Sequence, residues 1–428
     1  MFGNNRVAVT REAAGHVAEV YRRLVEGGGD ADRAQHFVLQ CVVVMFAEDT
    51  RLLRDNVFTR AVDECLHGGA SAYDVLGGLF RQMADPRPAR PRRPVPERPV
   101  LQRRPVLGHR ADADGEGRAV PALPGSLQEW RRVQPEVFGT LFQGTMDAGE
   151  RRAQGAHFIH EADIQKIVQP TIVRPWRERI GAADRLSDLV ALRDDLLRYR
   201  VLDPACGSGD FLYAAFRELK RLEIEVLVKL RERFSAAELR RCGVALTSWV
   251  DVRQLYGIDR NPFAVELARV TLTIAKELAL REAAETADAG EVDLAGQMFD
   301  EALPLDDLRD NVRCADALFD GWPAADAVVG HPPFLAKNKL VPELGAAYVD
   351  RVRRAFPDVS GRADLCVYWF RRAHDHLGRG GRARLMGTNT VRQNESREGG
   401  LDYVVGGLSP RPSRRRCGAA TRPSTSRS

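Results

Sequence analysis

Paired cysteine is what this sequence lacks most plainly. Its seven cysteines in 428 residues include no C-x-x-C pair, and their number is odd. That pattern excludes a recognisable zinc site or disulfide framework. Free thiols without a signal peptide point to a reducing cytoplasm. No stretch reaches the ~18 apolar residues that cross a bilayer. The apolar segment from Cys41 to Ala47 is far shorter and reads as a buried helix. Charge of one sign is also scarce. The net of +5 comes largely from two stretches dense in arginine and proline, 86–104 and the C-terminal tail, so charge alone favours a polyanionic partner only mildly. His157 and His160 have no evident third ligand, and no metal is expected there.

A chain of this length is expected to hold two or three domains. Residues 1–84 read as a helical domain, with Phe37, Val38, Cys41, Val42, Met45 and Phe46 at helical spacing. Residues 85–125 are so rich in proline and arginine that no regular helix or strand fits, and a disordered linker is expected. Helical signals resume over 126–200. From Val201 strands alternate with helices to about 405: Val201 onward, Gln254 to Asp259, Asn311 to Asp316, Asp326 to Gly330 and Ala383 to Asn389. This alternation predicts an α/β, doubly wound, mostly parallel sheet preceded by a helical region. Residues 406–428 carry no periodicity and read as a disordered tail.

The most informative segment is V-L-D-P-A-C-G-S-G-D-F, Val201 to Phe211. An apolar strand ends at Asp203, a turn follows with Gly207 and Gly209, and a helix opens near Phe211. In open α/β sheets ligands bind at the carboxyl ends of the strands, and glycines there permit close backbone approach. The dinucleotide pattern G-x-G-x-x-G fits poorly, because Leu212 holds the third glycine position. Two further strands end on acids, Asp259 in Y-G-I-D-R-N-P-F and Asp316 in C-A-D-A-L-F-D. The plain reading of each is a helix or turn cap. A fourth strand runs into His331-Pro332-Pro333-Phe334, whose paired prolines stiffen a loop.

These blocks resemble class I S-adenosylmethionine (SAM) methyltransferases. Val201 to Phe211 is similar to motif I, and H-P-P-F to motif IV, usually N-P-P-F or N-P-P-Y. G-A-H-F-I-H-E, from Gly155, is similar to motif X. The block G-T-N-T-V-R-Q-N-E-S-R-E-G-G-L-D-Y, from Gly387, matches a further family segment. Together they resemble type IIL and IIG restriction–modification methyltransferases of the MmeI-like kind, in the gamma order of motifs. The resemblance implies a Rossmann-like domain that transfers methyl from S-adenosyl-L-methionine to adenine N6 in duplex DNA, with the target base flipped out.

The resemblance further implies a cofactor site made of Phe158, Asp203, Ala205, Gly207, Gly209, Phe211, Asp259 and Asp316. Asp203 would take the donor's ammonium, Asp259 its ribose hydroxyls and Asp316 its adenine amino group. His331, Pro332, Pro333 and Phe334 would form the catalytic loop. In that loop the family's Asn side chain and the first proline carbonyl accept hydrogen bonds from the target nitrogen, and the aromatic ring stacks on the flipped base. His331 stands where the family has Asn, and an imidazole differs from an amide in reach and angle, so impaired transfer is expected. Asn389, Arg392 and Arg397 are candidates to face DNA. The gamma order puts base reading after Tyr403, where the match ends, so a separate recognition polypeptide is a candidate partner. A cofactor-binding remnant without turnover, or an enzyme acting on amino nitrogens of RNA or protein, remains an alternative.

Overall fold

The computed structural model describes residues 15–49, 55–67, 71–84, 159–244, 249–287 and 308–408. The expected linker, Phe158 and nearly all of the expected tail lie outside them. Four helices come first: α1 (residues 15–26), α2 (Ala31–Asp49), α3 (Val57–His67) and α4 (Ala72–Ala84). Then come α5 (Glu161–Val168), a π-turn (Gln169–Val173) that leads straight into α6 (Arg174–Ala182), and α7 (Leu186–Arg198). Pro170 sits at the start of the π-turn. It has no N–H for the helical ladder, which accounts for the local widening.

The remainder alternates as the periodicity predicts. β1 (Val201–Asp203) leads through a turn to α8 (Asp210–Arg233), followed by α9 (Ala236–Arg241), β2 (Leu255–Asp259) and α10 (Pro262–Ala287). β3 (Val312–Cys314), β4 (Ala327–Gly330), α11 (Leu340–Leu344), α12 (Ala346–Ala355), α13 (Val367–His376) and β5 (Arg382–Leu385) complete the sheet. The last described residues coil through α14 (Asn394–Arg397), a π-turn (Glu398–Asp402) and α15 (Tyr403–Leu408). Residues 406–408, expected in the tail, therefore extend a helix.

All strand pairs are parallel, in the order β3-β2-β1-β4-β5. β1 lies central, with Val201 in register with both Leu255 and Ala327. β1 and β4 are buried at every residue, as expected of strands covered on both faces. Two strands stop short of the sequence expectation. β3 gives way before Asp316, whose N–H turns to Asp320 Oδ2 (2.8 Å) and whose Oδ1 accepts from Leu318 N–H (3.0 Å). β5 ends at Leu385, and Asn389–Arg392 forms a 3₁₀ turn.

α8 and α10 cover one face of the sheet together with α5 to α7, and α12 and α13 cover the other. α10 is buried on two sides. Val265, Ala268 and Leu272 face the sheet core, while Phe263, Leu267, Val270 and Ile274 pack against Phe37, Cys41, Met45, Phe58 and Leu76 of the N-terminal helices. His36 Nε2 and Glu266 Oε2 meet at 2.9 Å across this contact. Among the described residues no helix is long and apolar enough to cross a membrane, and no group of three His, Cys, Asp or Glu could hold a metal.

Candidate active site

The chain adds β2 and β3 on one side of β1 and then β4 and β5 on the other, so the order of strand addition reverses between β1 and β4. Such switch points open a crevice at the carboxyl ends of the strands. The loop that follows β1 is laced to the end of β2. Cys206 N–H donates to Ile258 O (3.1 Å), Gly209 N–H to Cys206 O (2.8 Å) and Gly207 N–H to Asp259 Oδ2 (3.0 Å). Gly207 (φ 51°) and Gly209 (φ 89°) both adopt left-handed conformations. A Cβ on Gly209 would lie 3.1 Å from Ala268 Cα of α10, so glycine lets α8 start hard against that helix. A Cβ on Gly207 would meet nothing within 4 Å, which leaves open space on that side of the turn.

Three carboxyls converge under this loop. Asp203 is fully buried. Its Oδ1 accepts from Ala205 N–H (3.0 Å), and its Oδ2 has no partner. Burial, reinforced by the charges of Asp259 and Asp210, pushes Asp203 up to about 8. Asp210 opens α8. Its Oδ2 accepts from Ser208 Oγ (3.2 Å), its Oδ1 is buried without a partner, and burial pushes it up to about 7. Asp259 Oδ1 accepts from Asn261 N–H (2.8 Å). Burial raises its pKa above the ordinary carboxylate value, against the hydrogen bonds from Asn261 and Gly207 that lower it. Two unpaired buried acceptors suit a ligand that brings donors and positive charge.

Asp316 stands in the turn after β3, whose Cys314 is in register with Asp259, but is already engaged. Besides capping Leu318, it lies 3.6 Å from Arg260 Nε and bonds Tyr348 of α12. Arg260 in turn sits over the Tyr348 ring at 4.6 Å. Phe211 is 3% exposed and belongs to the core beneath α8. It seats the helix and is not brought to the crevice. His160, the second His of the N-terminal block, caps α5 by accepting from Ala162 N–H at Nδ1 (3.2 Å).

β4 delivers the H-P-P-F loop to the other side of the switch point. Pro332 is buried, while His331, Pro333 and Phe334 are half-buried. The His331 and Phe334 rings lie 5.3 Å apart, tilted by 43°. In the block from Gly387, Asn389 and Arg392 are exposed on the 3₁₀ turn, and Arg397 pairs with Asp402 at 3.1 Å. Several residues important to this geometry escape a reading of motifs. Gly330 (φ 146°) has no room for a side chain: a Cβ there would overlap Asp203 Oδ1 and lie 2.8 Å from its Cγ. Asp210 was legible as an acid at a helix start, where such groups favour the dipole, but its unpaired oxygen was not. Trp369 of α13 donates from Nε1 to Pro204 O (3.2 Å), a contact across 165 residues that no local pattern announces.

Known proteins agree with this architecture. DNA methyltransferase A of Bacillus subtilis (strain 168) is 26% identical over 320 residues, 71% of this chain and 34% of that protein. The adenine-specific methyltransferase PglX of Streptomyces coelicolor is 24% identical over 269 residues, 56% of this chain and 19% of that one. This chain thus spans only a minor part of the curated relatives it matches. A solved structure of the type IIL restriction–modification enzyme MmeI in complex with DNA superposes with a TM-score of 0.69 at 21% identity, over 92% of this chain and 53% of that one, so the fold is shared. The MmeI helicase spacer domain matches residues 32–103. The MmeI DNA-methyltransferase domain matches residues 179–399, more than half of the sequence, and the chain therefore belongs to that family.

Proposed function

We propose that this chain binds S-adenosyl-L-methionine and transfers its methyl group to adenine N6 in duplex DNA, within a restriction–modification system. The observation that carries this reading is the meeting, at one switch point, of a glycine turn over unpaired buried carboxyls with a stiff Pro-Pro-aromatic loop. The names of the relatives support the same class: a DNA methyltransferase, an adenine-specific methyltransferase and a restriction–modification enzyme complexed with DNA.

The donor supplies an electrophilic methyl on a cationic sulfur. Asp203, with Asp210 beside it, offers acceptors for the ammonium. Gly207 and Gly209 admit the backbone close to it, Ala205 holds Asp203 in place, and Asp259 accepts from the ribose. Asp316 accepts from the adenine amino group once its bonds to Arg260 and Tyr348 rearrange. Phe158, outside the described residues, closes over the donor by resemblance to motif X. His331 and the Pro332 carbonyl take the N–H groups of the target nitrogen, and Phe334 stacks on the flipped base. Donor binding without turnover is the second reading, and the tilted contact of His331 with Phe334 favours it.

The test is calorimetry with S-adenosylhomocysteine, together with tritium transfer from labelled donor to duplex DNA, RNA and protein. Micromolar or tighter binding and label in DNA adenine are expected. A folded chain with no affinity for either form of the donor overturns the proposal, and binding with no label in any acceptor selects the second reading. Binding should also depend on pH. Asp203 keeps its proton to about 8 when folded and sheds it near its ordinary 3.8 when unfolded. The folded chain therefore carries the extra proton in that window, and without donor its stability falls as pH rises through it. A cationic ammonium requires the ionised carboxyl, so affinity should rise by up to ~10-fold per pH unit below about 8 and level off above it. Asp203→Asn should flatten the profile. Calorimetry in two buffers of different ionisation heat counts the protons released, and none released at pH 7 contradicts this assignment.

A further inference from the structure

The segment that opens α13 touches three of the loops leaving the sheet, and one buried carboxyl is its hub. Asp364 is 5% exposed. Its Oδ1 accepts from Leu335 N–H and from Cys366 N–H, both at 3.2 Å. Its Oδ2 accepts from Thr390 Oγ1 (3.3 Å), and its own N–H donates to Ser396 Oγ (2.9 Å). Leu335 is held at both ends, because its carbonyl accepts from Leu365 N–H (3.2 Å). Two residues past Cys366 in the same helix, Tyr368 is buried, and Trp369 next to it reaches Pro204 of the loop after β1.

Leu335 directly follows Phe334. Beyond it Ala336, Lys337, Asn338 and Lys339 are all exposed, so the carboxyl-terminal side of the H-P-P-F loop has no other buried anchor until Leu340. On its amino-terminal side the loop is fixed by the ladder of β4 to β5, which ends with Met386 N–H on Gly330 O (2.9 Å). The loop thus runs from a sheet end to Leu335, where the Asp364 carboxylate and the Leu365 N–H hold the two ends of one residue. That same carboxylate grips the 3₁₀ turn carrying Asn389 and Arg392 through Thr390.

We infer that Asp364 is a positioning residue for methyl transfer: by clamping Leu335 and Thr390 together it sets where His331, Pro332 and Phe334 stand relative to the loop after β1. This rests on the function proposed above. Asp364 does not itself reach target or donor in this reading. It acts through Leu335, and a displacement of about 1 Å at a reacting group suffices to cost ~100-fold in rate.

Asp364→Ala removes the acceptor for two N–H groups, which then lie buried and unpaired, and frees the exposed hydroxyl of Thr390 from this segment, leaving it only Thr388 Oγ1. Asp364→Asn keeps an amide oxygen for Leu335 and Cys366 and can donate to Thr390, so it should rescue. Two readouts separate positioning from mere scaffolding. In single-turnover transfer to duplex DNA, the Ala variant should lose about 30-fold or more in rate while affinity for S-adenosylhomocysteine stays within about 2-fold, and the Asn variant should recover most of the rate. Independently of catalysis, trypsin cleavage after Lys337 and Lys339 should be ~10-fold faster in the Ala variant and near the parent rate in the Asn variant.

Amide hydrogen exchange of the unaltered chain gives a third measurement if the Ala variant does not fold. Leu335 and Cys366 N–H should be protected like strand amides, while Ala336 to Asn338 exchange freely. An unprotected Leu335, an unchanged cleavage rate in a folded Ala variant, or equal losses in rate and donor affinity each overturn the inference. Absence of methylation in every chain, with protection and cleavage as expected, instead counts against the proposed reaction and leaves the clamp standing.

Discussion

Gly330→Ala is expected to destabilise the fold and abolish donor binding, and Asp203→Ala is expected to relieve much of the lost stability, though not the binding. The added methyl would overlap Asp203 Oδ1 and sit 2.8 Å from Cγ. Neither partner has slack. Asp203 is fully buried and tied to Ala205 N–H, and Gly330 is pinned between its ladder partner Leu385 and the bond from Met386. A φ of 146° adds a backbone cost for any residue with a side chain. Strain of about 1–3 kcal/mol from the backbone and a similar amount from overpacking sum to ~2–6 kcal/mol, a large share of the stability of an ordinary domain. The carboxyl or the strand end must move, and both line the crevice.

A double-mutant cycle tests this cause. In the Asp203→Ala background the overlap is gone, so Gly330→Ala should cost only the backbone term. The two changes should therefore couple by more than 1 kcal/mol in thermal or urea unfolding. Asp203→Asn, which keeps the shape of the side chain, should not relieve it. Strict additivity would show that Gly330 matters for its backbone angle alone. Binding of S-adenosylhomocysteine, followed by calorimetry, should be undetectable in Gly330→Ala and present in the parent chain.

The contrast between these two residues also marks how far sequence reasoning reached. Asp203 was legible because strand, acid and glycine turn stand within eleven consecutive residues, and local chemistry fixes what each can do there. The alternation of strands and helices was legible for the same reason: continuous apolar runs such as Ala327 to Val329 fit only a strand covered on both faces. Phe211 packs in the core beneath α8, and an aromatic beside a ligand turn and one that seats a helix look alike in one dimension. Asp316 was seen at its strand end, but its bonds to Arg260 and Tyr348 depend on α12, more than thirty residues onward. Gly330 and Asp364 were invisible as site residues. One matters because of an atom 127 positions earlier, and the other because two loops distant in sequence need the same acceptor. What local periodicity conveys is the scaffold, while the fit of the crevice depends on contacts between strand ends distant in sequence.

His331→Asn is expected to raise methyl transfer by about 10- to 100-fold with donor affinity unchanged. The target amino group must give up its N–H groups to fixed acceptors so that its lone pair faces the methyl, and this orientation is where such a site gains its rate. An amide offers a carbonyl oxygen with two lone pairs close to the backbone. A neutral imidazole offers one ring nitrogen with a single lone pair at a different angle, and a protonated ring offers none. The His331 ring also leans on Phe334, 5.3 Å between centroids at 43°, and so occupies the aromatic surface proposed to receive the base. Replacing it restores an acceptor and clears that face together. A factor of 100 corresponds to ~2.7 kcal/mol of barrier, within reach of one well-placed hydrogen bond to a reacting group. Single-turnover tritium transfer to duplex DNA measures it, and calorimetry with S-adenosylhomocysteine checks that affinity stays within about 2-fold. His331→Ala separates the two causes. It clears the ring without supplying an acceptor, so an equal gain there would assign the effect to Phe334 alone. If the amide variant transfers no faster than its parent at any pH, orientation by this side chain is not what limits the reaction.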